Sequence, residues 1–186
     1  MRFLVRLRAT KVPRDRLLET ARTVARTLGL DPRNPKWTSY GALELDVFSP
    51  TTADFDLFVA ALRPLAEFEF TKDLSAPPRH KSDEDLFDEA RSLFNAERYW
   101  ECHEVLEGVW RQRQGEEKRL LQGVILVCAA FVHHQKQEEG VALGVLGRSL
   151  PLLGSSREEV AGIHLAGFRR HVQDAIDSGK FVNFRV

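Results

Sequence analysis

The stretch that decides the fold of the second half of the chain is FNAERYWECHEVLEGVW, residues 94–110. At about 100° per residue, an α-helix brings five of its side chains within roughly 100° of one another. They are Tyr99, His103, Leu106, Glu107 and Trp110. Titratable groups ordinarily lie on the solvent face of a helix, but here two of them share a face with aromatic rings. Because buried polar groups need partners, the helix marks a candidate functional site.

The next helix supplies one more polar group at the level of this pair. Helices over 98–113 and 116–138 are predicted to form an antiparallel hairpin about Gly115. Counting outward from the turn brings Gln122 level with Glu107, where its amide can donate to the carboxylate. His133 shares the face of Gln122 but lies about 16 Å further along the axis, at 1.5 Å per residue. That distance keeps His133 out of a small site.

A larger set of residues around this helix carries a resemblance. It consists of Phe94-Asn95, Tyr99, His103, Glu107, Trp110 and Leu121-Gln122-Gly123. With these residues, the stretch from about 83 to 153 resembles the helical family catalogued as domain of unknown function 309. The recurring signature of that family is His-x-x-x-Glu-x-x-Trp/Tyr. The resemblance implies a helical fold and suggests metal binding, with no activity established, and it does not cover the chain before Ser75.

In the metal interpretation, His103 and Glu107 are the protein ligands of a divalent ion. They lie one helical turn apart, and nitrogen and oxygen donors without thiolate suit zinc, manganese or iron. Structural zinc requires four ligands and catalytic zinc three plus water, so two ligands predict a weak, labile site. The remaining ligands would come from Glu104, His164, His171, a second subunit or water.

Three interpretations of the pair remain open. In the first, His103 and Glu107 contact a small molecule or a labile metal, and Tyr99, Trp110 and Gln122 line the ligand site. In the second, His103 is bonded to Glu107, Gln122 or backbone in a buried network that only fixes helix packing. In the third, the helices form a tetratricopeptide-like interaction module, which a single hairpin without repetition supports weakly.

Composition argues against nucleic-acid and membrane partners. The 27 basic residues equal the 27 acidic residues, so no net field attracts nucleic acid or anionic lipid. The longest apolar stretch, residues 123–132, is too short to span a bilayer, and early arginines argue against a signal peptide. Cys102 and Cys128 lack metal-motif spacing, which predicts reduced, buried thiols in a cytoplasmic protein. The partner is a small molecule or a protein, and a homo-oligomer is compatible with the sequence.

Residues 1–74 predict a small α+β domain. Alternation over 2–8 indicates a strand with Phe3, Val5 and Leu7 on one face. The elements that follow are a helix over 14–28, a loop over 31–35, a hairpin over 37–40 and 42–48, a helix over 54–62 and a strand over 66–70. The order β-α-β-β-α-β matches the ferredoxin-like motif.

The other face of this sheet is predicted to be charged. Arg6, Arg8, Glu44 and Asp46 point outward, and mixed charges suit cross-strand pairing. RNA-binding sheets instead present exposed aromatics on a basic face, so we expect no nucleic acid here.

The rest of the chain is predicted to be helical. A linker over 75–81 contains two adjacent prolines, and an all-helical domain follows over 82–178. Its helices lie near 83–95, 98–113, 116–138, 141–153 and 164–178, with Pro151 shortening the fourth. Ser82 with Asp85 and Ser156 with Glu159 are candidate helix caps, and residues 179–186 form an extended tail. The fold class is an α+β N-terminal ferredoxin-like domain followed by an all-α helical bundle.

Overall fold

A computed structural model describes residues 1–75, 81–154 and 157–186 of the chain. The chain divides into two units, Met1–Arg79 and His80–Val186. Residues 76–80 of the predicted linker and Ser156 of the predicted cap lie outside the described residues, and the finer domain boundaries stay a prediction. Within the described ranges, no helix combines the length and the apolar character needed to cross a bilayer.

The N-terminal unit is a four-stranded antiparallel sheet with two helices. Its elements are β1 (Arg2–Ala9), α1 (Arg14–Thr27), β2 (Asp31–Trp37), β3 (Leu43–Phe48), α2 (Thr52–Leu62) and β4 (Ala66–Asp73). The strands lie in the order β2-β3-β1-β4. Because side chains alternate across a strand, one sheet face carries the apolar residues of β1 and β3. The prediction that Phe3, Val5 and Leu7 share one face is confirmed, since all three are buried in one core together with Leu43, Leu45 and Val47 of β3.

The prediction of a loop over residues 31–35 is wrong, because this stretch begins the edge strand β2. Pro32 and Pro35 have no amide proton, which a strand tolerates only where that position needs no partner, as at a sheet edge. A register shift interrupts the pairing with β3, and Asn34 has a φ of 51°. The two prolines and the bulge therefore explain why the sequence did not predict a strand here. Its pairing with β3 is evident only from the structure.

The charged face of the sheet is paired across its strands, as predicted. Arg6 donates to one Glu44 carboxylate oxygen at 2.9 Å, and Lys36 Nζ lies 2.5 Å from the other. Arg2 donates to Asp46 at 2.8 Å. The prediction that Arg6, Glu44 and Asp46 point outward is wrong about their exposure, because each exposes at most 5% of its surface. The Arg6 guanidinium also lies 5.2 Å from the centre of the Phe70 ring.

We predict that Glu44→Gln destabilises the N-terminal unit by about 3–5 kcal/mol, because two buried cations lose their carboxylate. Glu67→Gln is the matched control, since Glu67 pairs with Arg8 where both side chains are about half exposed. Such exposed pairs contribute about 0–1 kcal/mol. Hydrogen exchange of the slowest amides in β1 and β3 measures both losses, and equal losses would contradict a special role for the buried group.

In its described residues, the helical unit contains five helices and one short hairpin. The elements are α3 (Asp83–Asn95), α4 (Tyr99–Trp110), α5 (Gly115–Gln135), α6 (Glu139–Ser149), β5 (Glu159–Val160), β6 (Ile163–His164) and α7 (Leu165–Ser178). The five predicted helices are confirmed, although the fourth ends at Ser149, before Pro151, and the β5–β6 hairpin was not predicted. The predicted Ser82 cap forms a capping box with Asp85.

Helix α5 is the central helix of this unit, with buried residues along its whole length. It packs against both α4 and α6. Gly123 lies where α5 meets the turn after α6, and a Cβ added there would lie 2.8 Å from two atoms of Leu153. Leu153 is fully buried, so an added Cβ would force its side chain to shift within the core. The glycine therefore permits close packing in the middle of a helix.

We predict that Gly123→Ala destabilises the helical unit by about 1–3 kcal/mol through overpacking. Gly144→Ala is the control, because a Cβ at Gly144 in α6 would meet nothing within 4 Å. There the better helix propensity of alanine should stabilise the fold by up to about 1 kcal/mol. Thermal unfolding of the two variants should therefore shift the melting temperature in opposite directions, and a shift in the same direction would exclude this packing argument.

Candidate functional site

The buried face of α4 consists of Tyr99, Cys102, Leu106 and Val109, each at most 2% exposed. His103, Glu107 and Trp110 lie beside this face and are half-buried. All three belong to the predicted apolar stripe, which does not include Cys102 or Val109. Helix α4 is therefore rotated relative to the prediction, and the histidine and glutamate lie at the edge of the helix interface.

His103 has an oriented ring and an unsatisfied nitrogen. Its imidazole stacks on the indole of Trp100, with ring centres 5.5 Å apart and planes 7° from parallel. Its Nδ1 atom is buried and, within the described residues, has no hydrogen-bond partner. Leaving such an atom unpaired costs about 1–3 kcal/mol. The ring is thus held in place by stacking alone.

Glu107 is bonded to a neighbour on its own helix. Its carboxylate accepts a hydrogen bond from Arg111 at 2.9 Å, and its side chain is 36% exposed. In the described part of the chain, His103 is bonded to neither Glu107 nor Gln122. The hydrogen bonds that would define the predicted buried network are therefore absent from the site.

Trp110 contacts Lys118, a residue that was not predicted to belong to this site. Lys118 Nζ lies 4.3 Å from the centre of the Trp110 ring, a cation–π contact between α4 and α5. The indole Nε1 of Trp110 is buried and unpartnered among the described residues. Gln122 follows Lys118 by one turn and is half-buried. Counting outward from the turn at Gly115 places Trp110 opposite residue 120. Because Lys118 is close to residue 120 in the sequence, this count could have identified it.

Tyr99 lies in the interior instead of beside His103. It is 1% exposed, its ring stacks on Phe131 with centres 4.7 Å apart, and its hydroxyl donates to Asn183 at 3.1 Å. It lines a cavity of about 170 Å³. A second cavity, of about 380 Å³, is lined by His164 and six other residues. Neither of these two cavities is lined by His103 or Glu107.

The other residues proposed as metal ligands are not gathered around this pair. His164 lines the larger cavity, His171 stacks on Phe184, and Glu104 is exposed. Among the described residues, no three His, Cys, Asp or Glu side chains are grouped so that they could hold a metal ion. Metal binding by His103 and Glu107 stays a prediction.

Comparison with known proteins identifies the family of the helical unit. The family described as "Domain of unknown function (DUF309)" matches residues 87–145. The helical unit therefore carries a domain of this family, and the resemblance stated from the sequence is confirmed.

Two relatives match a similar share of the chain. The uncharacterized protein YpuF of Bacillus subtilis (strain 168) is 32% identical over 74 residues, which are 39% of this chain and 42% of that protein. The chain thus spans about two fifths of the length of that curated relative. The crystal structure of the conserved hypothetical protein TTHA0068 from Thermus thermophilus matches at 34% identity and a TM-score of 0.42. That match covers 49% of this chain and 95% of the other.

The two cysteines meet where α4 packs on α5. Both are free and buried, and the Cys128 thiol donates to Cys102 Sγ at 3.4 Å. Burial raises the pKa of the Cys128 thiol well above its usual range, and the hydrogen bond with Cys102 raises it further. The thiol is therefore held neutral and unreactive in the folded protein.

We predict that this thiol makes stability pH-dependent under reducing conditions. Because the folded pKa is raised, the contribution of Cys128 is fully present below the unfolded thiol pKa of about 8.5. It is lost as the pH rises from there through the folded pKa, with a slope of about 1 kcal/mol per pH unit for one proton. The melting temperature of the unmodified chain should fall faster above pH 9 than that of Cys128→Ala. Identical slopes for the two proteins would contradict the shift.

Proposed function

We propose that the helical unit binds a small polar ligand on the side of α4 that carries His103 and Glu107. The observation that carries the proposal is the buried Nδ1 of His103, which has no hydrogen-bond partner in the described residues although stacking fixes its ring. A polar group kept at a cost to stability is typical of a functional site. A ligand atom bonded to Nδ1 would remove that cost in the bound state.

The groups further along the same edge of α4, about 10 Å from His103 at 1.5 Å per residue, favour a ligand with an oxygen acceptor. Trp110 offers an unpaired indole N–H, and Lys118 holds its ammonium group over the same ring. Both would stabilise a carboxylate or carbonyl oxygen. Gln122, one turn beyond Lys118, adds an amide, and the half-exposed Glu107 carboxylate accepts a hydrogen bond from a hydroxyl or amino group. This set suits a small molecule that carries both a donor and an anionic oxygen.

A labile divalent metal is the second candidate ligand. His103 and Glu107 are one turn apart and both reach the edge of the helix interface, where water can complete the coordination shell. Zinc, manganese and iron suit a nitrogen–oxygen donor pair. Binding would require the deprotonated imidazole, so the metal would compete with protons for His103. The tetratricopeptide-like interaction module stays an alternative prediction.

Two further assignments belong to this proposal. The N-terminal unit is ferredoxin-like, which its β-α-β-β-α-β order and its strand order support. The protein acts in the cytoplasm, and the two closely spaced cysteines that remain free support a reducing compartment.

His103→Phe tests the proposed site, because phenylalanine keeps the stacking on Trp100 and removes both ring nitrogens. We expect the variant to be more stable than the unmodified chain by about 1 kcal/mol, since a buried unpaired polar atom is gone. We also expect it to lose the increase in melting temperature that zinc, manganese or small hydroxy- and amino-carboxylates give the unmodified protein. A ligand at a hundred times its Kd stabilises a protein by about 3 kcal/mol.

Two controls separate the candidate ligands. His133→Phe changes a histidine that is bonded to Glu138 outside the site and should keep every ligand effect. Glu107→Gln removes a metal ligand but keeps a hydrogen-bonding side chain, so it should abolish stabilisation by metal more than stabilisation by carboxylates. If His103→Phe is destabilised and the unmodified protein responds to none of these ligands, the ligand site is excluded. The role of His103 is then to pack against its neighbours.

A further inference from the structure

The last residues of the chain form an extended segment held by the helical unit. Helix α7 ends at Gly179, whose φ of 65° takes the left-handed conformation of a helix C-cap. The tail, defined here as residues 180–186, then continues without regular secondary structure. Four of its side chains are half-buried, namely Phe181, Asn183, Phe184 and Val186, while Val182 is 72% exposed.

Asn95 recognises the main chain of this tail. Its side-chain amide donates to the Val186 oxygen at 3.0 Å, and its side-chain oxygen accepts from the Val186 amide at 2.8 Å. A carboxamide that forms both bonds pairs with the main chain as a neighbouring strand does. These bonds do not depend on the side chain at that position, so they select an extended backbone.

Aromatic rings recognise the side chains of the tail. The Phe184 ring is surrounded by four rings at centre distances of 4.5–5.9 Å, those of Phe94, Phe131, Phe168 and His171. Phe181 stacks on His134 at 4.6 Å and meets Phe131 edge-on at 5.2 Å.

Asn183, which lies between Phe181 and Phe184 in the tail, accepts a hydrogen bond from the Tyr99 hydroxyl. The side chains of the tail that are contacted therefore follow the pattern aromatic-x-Asn-aromatic-x-aliphatic over residues 181–186. We use the name tail groove for Phe94, Asn95, Tyr99, Phe131, His134, Phe168 and His171.

Five of the seven residues of the tail groove lie within the stretch that matches the family, residues 87–145, whereas Phe168, His171 and the tail lie beyond it. The occupant also leaves space, since a cavity of about 170 Å³ lies between Asn95, Glu97 and Tyr99 on one side and Asn183 and Arg185 on the other. A segment with a larger side chain than Asn183 would fill it.

We propose that the tail groove binds an extended segment of a partner protein with the pattern aromatic-x-Asn/Gln-aromatic-x-aliphatic, and that the tail occupies it in cis as a removable stand-in. The tail follows α7 directly, so its effective concentration at the groove is on the order of millimolar. A partner segment binds only if its affinity overcomes competition from the tail. Its apparent affinity is reduced in proportion to the fraction of molecules in which the groove is open. Helix α4 thus contributes Tyr99 to a peptide site, independently of the ligand site proposed at His103.

The test releases the tail in the full chain with the double variant Phe181→Ser, Phe184→Ser. The probe is a fluorescent peptide with the sequence of residues 179–186, GKFVNFRV, followed by anisotropy. We expect the released variant to bind the peptide at least tenfold more tightly than the unmodified chain. Adding Asn95→Ala should weaken binding at least tenfold, and a peptide with serine at both phenylalanine positions should not bind. No binding by a released variant that keeps its circular dichroism and cooperative melting overturns the proposal.

A second measurement covers a variant that fails to fold. In the unmodified chain, hydrogen exchange at the amide of Val186 should be much faster than at the core amides of α5, because the tail opens without global unfolding. Exchange of that amide only with the α5 core would make the tail an integral part of the fold and overturn the proposal. Dimers of the unmodified chain that the free peptide dissociates would assign the groove to a second copy of the chain instead of a partner.

Discussion

The rotation of α4 about its own axis is the constraint on which the rest of the helical unit depends. Cys102 packs against Cys128 of α5 with 3.4 Å between the sulfur atoms, and Leu106 and Val109 continue the same buried face. Both cysteine side chains are small, which suits close packing of the two helices. Because this face is buried, His103 and Glu107 must lie at the edge of the interface. Each is rotated away from the buried face, about the helix axis, by the angle that one to two residues span.

The sequence predicted which elements form better than how they are oriented. Helical periodicity found all five helices of the second unit, and alternation found the core side of β1 and β3. The rotation of α4 was misjudged because aromatic and polar residues were counted in the stripe while Cys102 was not. Cysteine is one of the most buried residue types, so including it would have moved the centre of the predicted face. Strand β2 was predicted over 37–40 instead of Asp31–Trp37, because its prolines are tolerated only by virtue of its edge position, which local sequence does not show.

The residues of the recognised motif divide between two places in the structure. Phe94, Asn95 and Tyr99 hold the tail, while Trp110 contacts Lys118 and His103 stacks on Trp100. Gly123 has a third role, since it allows α5 to meet Leu153 closely. Proximity in sequence therefore does not make these residues one site. Of the candidate ligand residues, Trp110 lies on the same edge of α4 as His103, about 10 Å further along the helix at 1.5 Å per residue, whereas Tyr99 lies in the aromatic core. No periodicity argument could foresee this, because the tail that contacts Tyr99 is 84 residues away.

The polar groups of the two units follow opposite energetic logic. In the sheet, Glu44 satisfies both Arg6 and Lys36, so burial strengthens each pair and removal of the carboxylate leaves two charges exposed to a low dielectric. On α4, the buried nitrogens of His103 and Trp110 lack partners within the described residues, so burial there is a net cost. The sheet also has a buried atom without a hydrogen-bond partner among the described residues, Arg2 Nε, but the Arg2 guanidinium is paired with Asp46. No hydrogen bond is described for the side chains of His103 and Trp110, and this difference is the physical reason to place the ligand at the edge of α4 instead of on the charged face of the sheet.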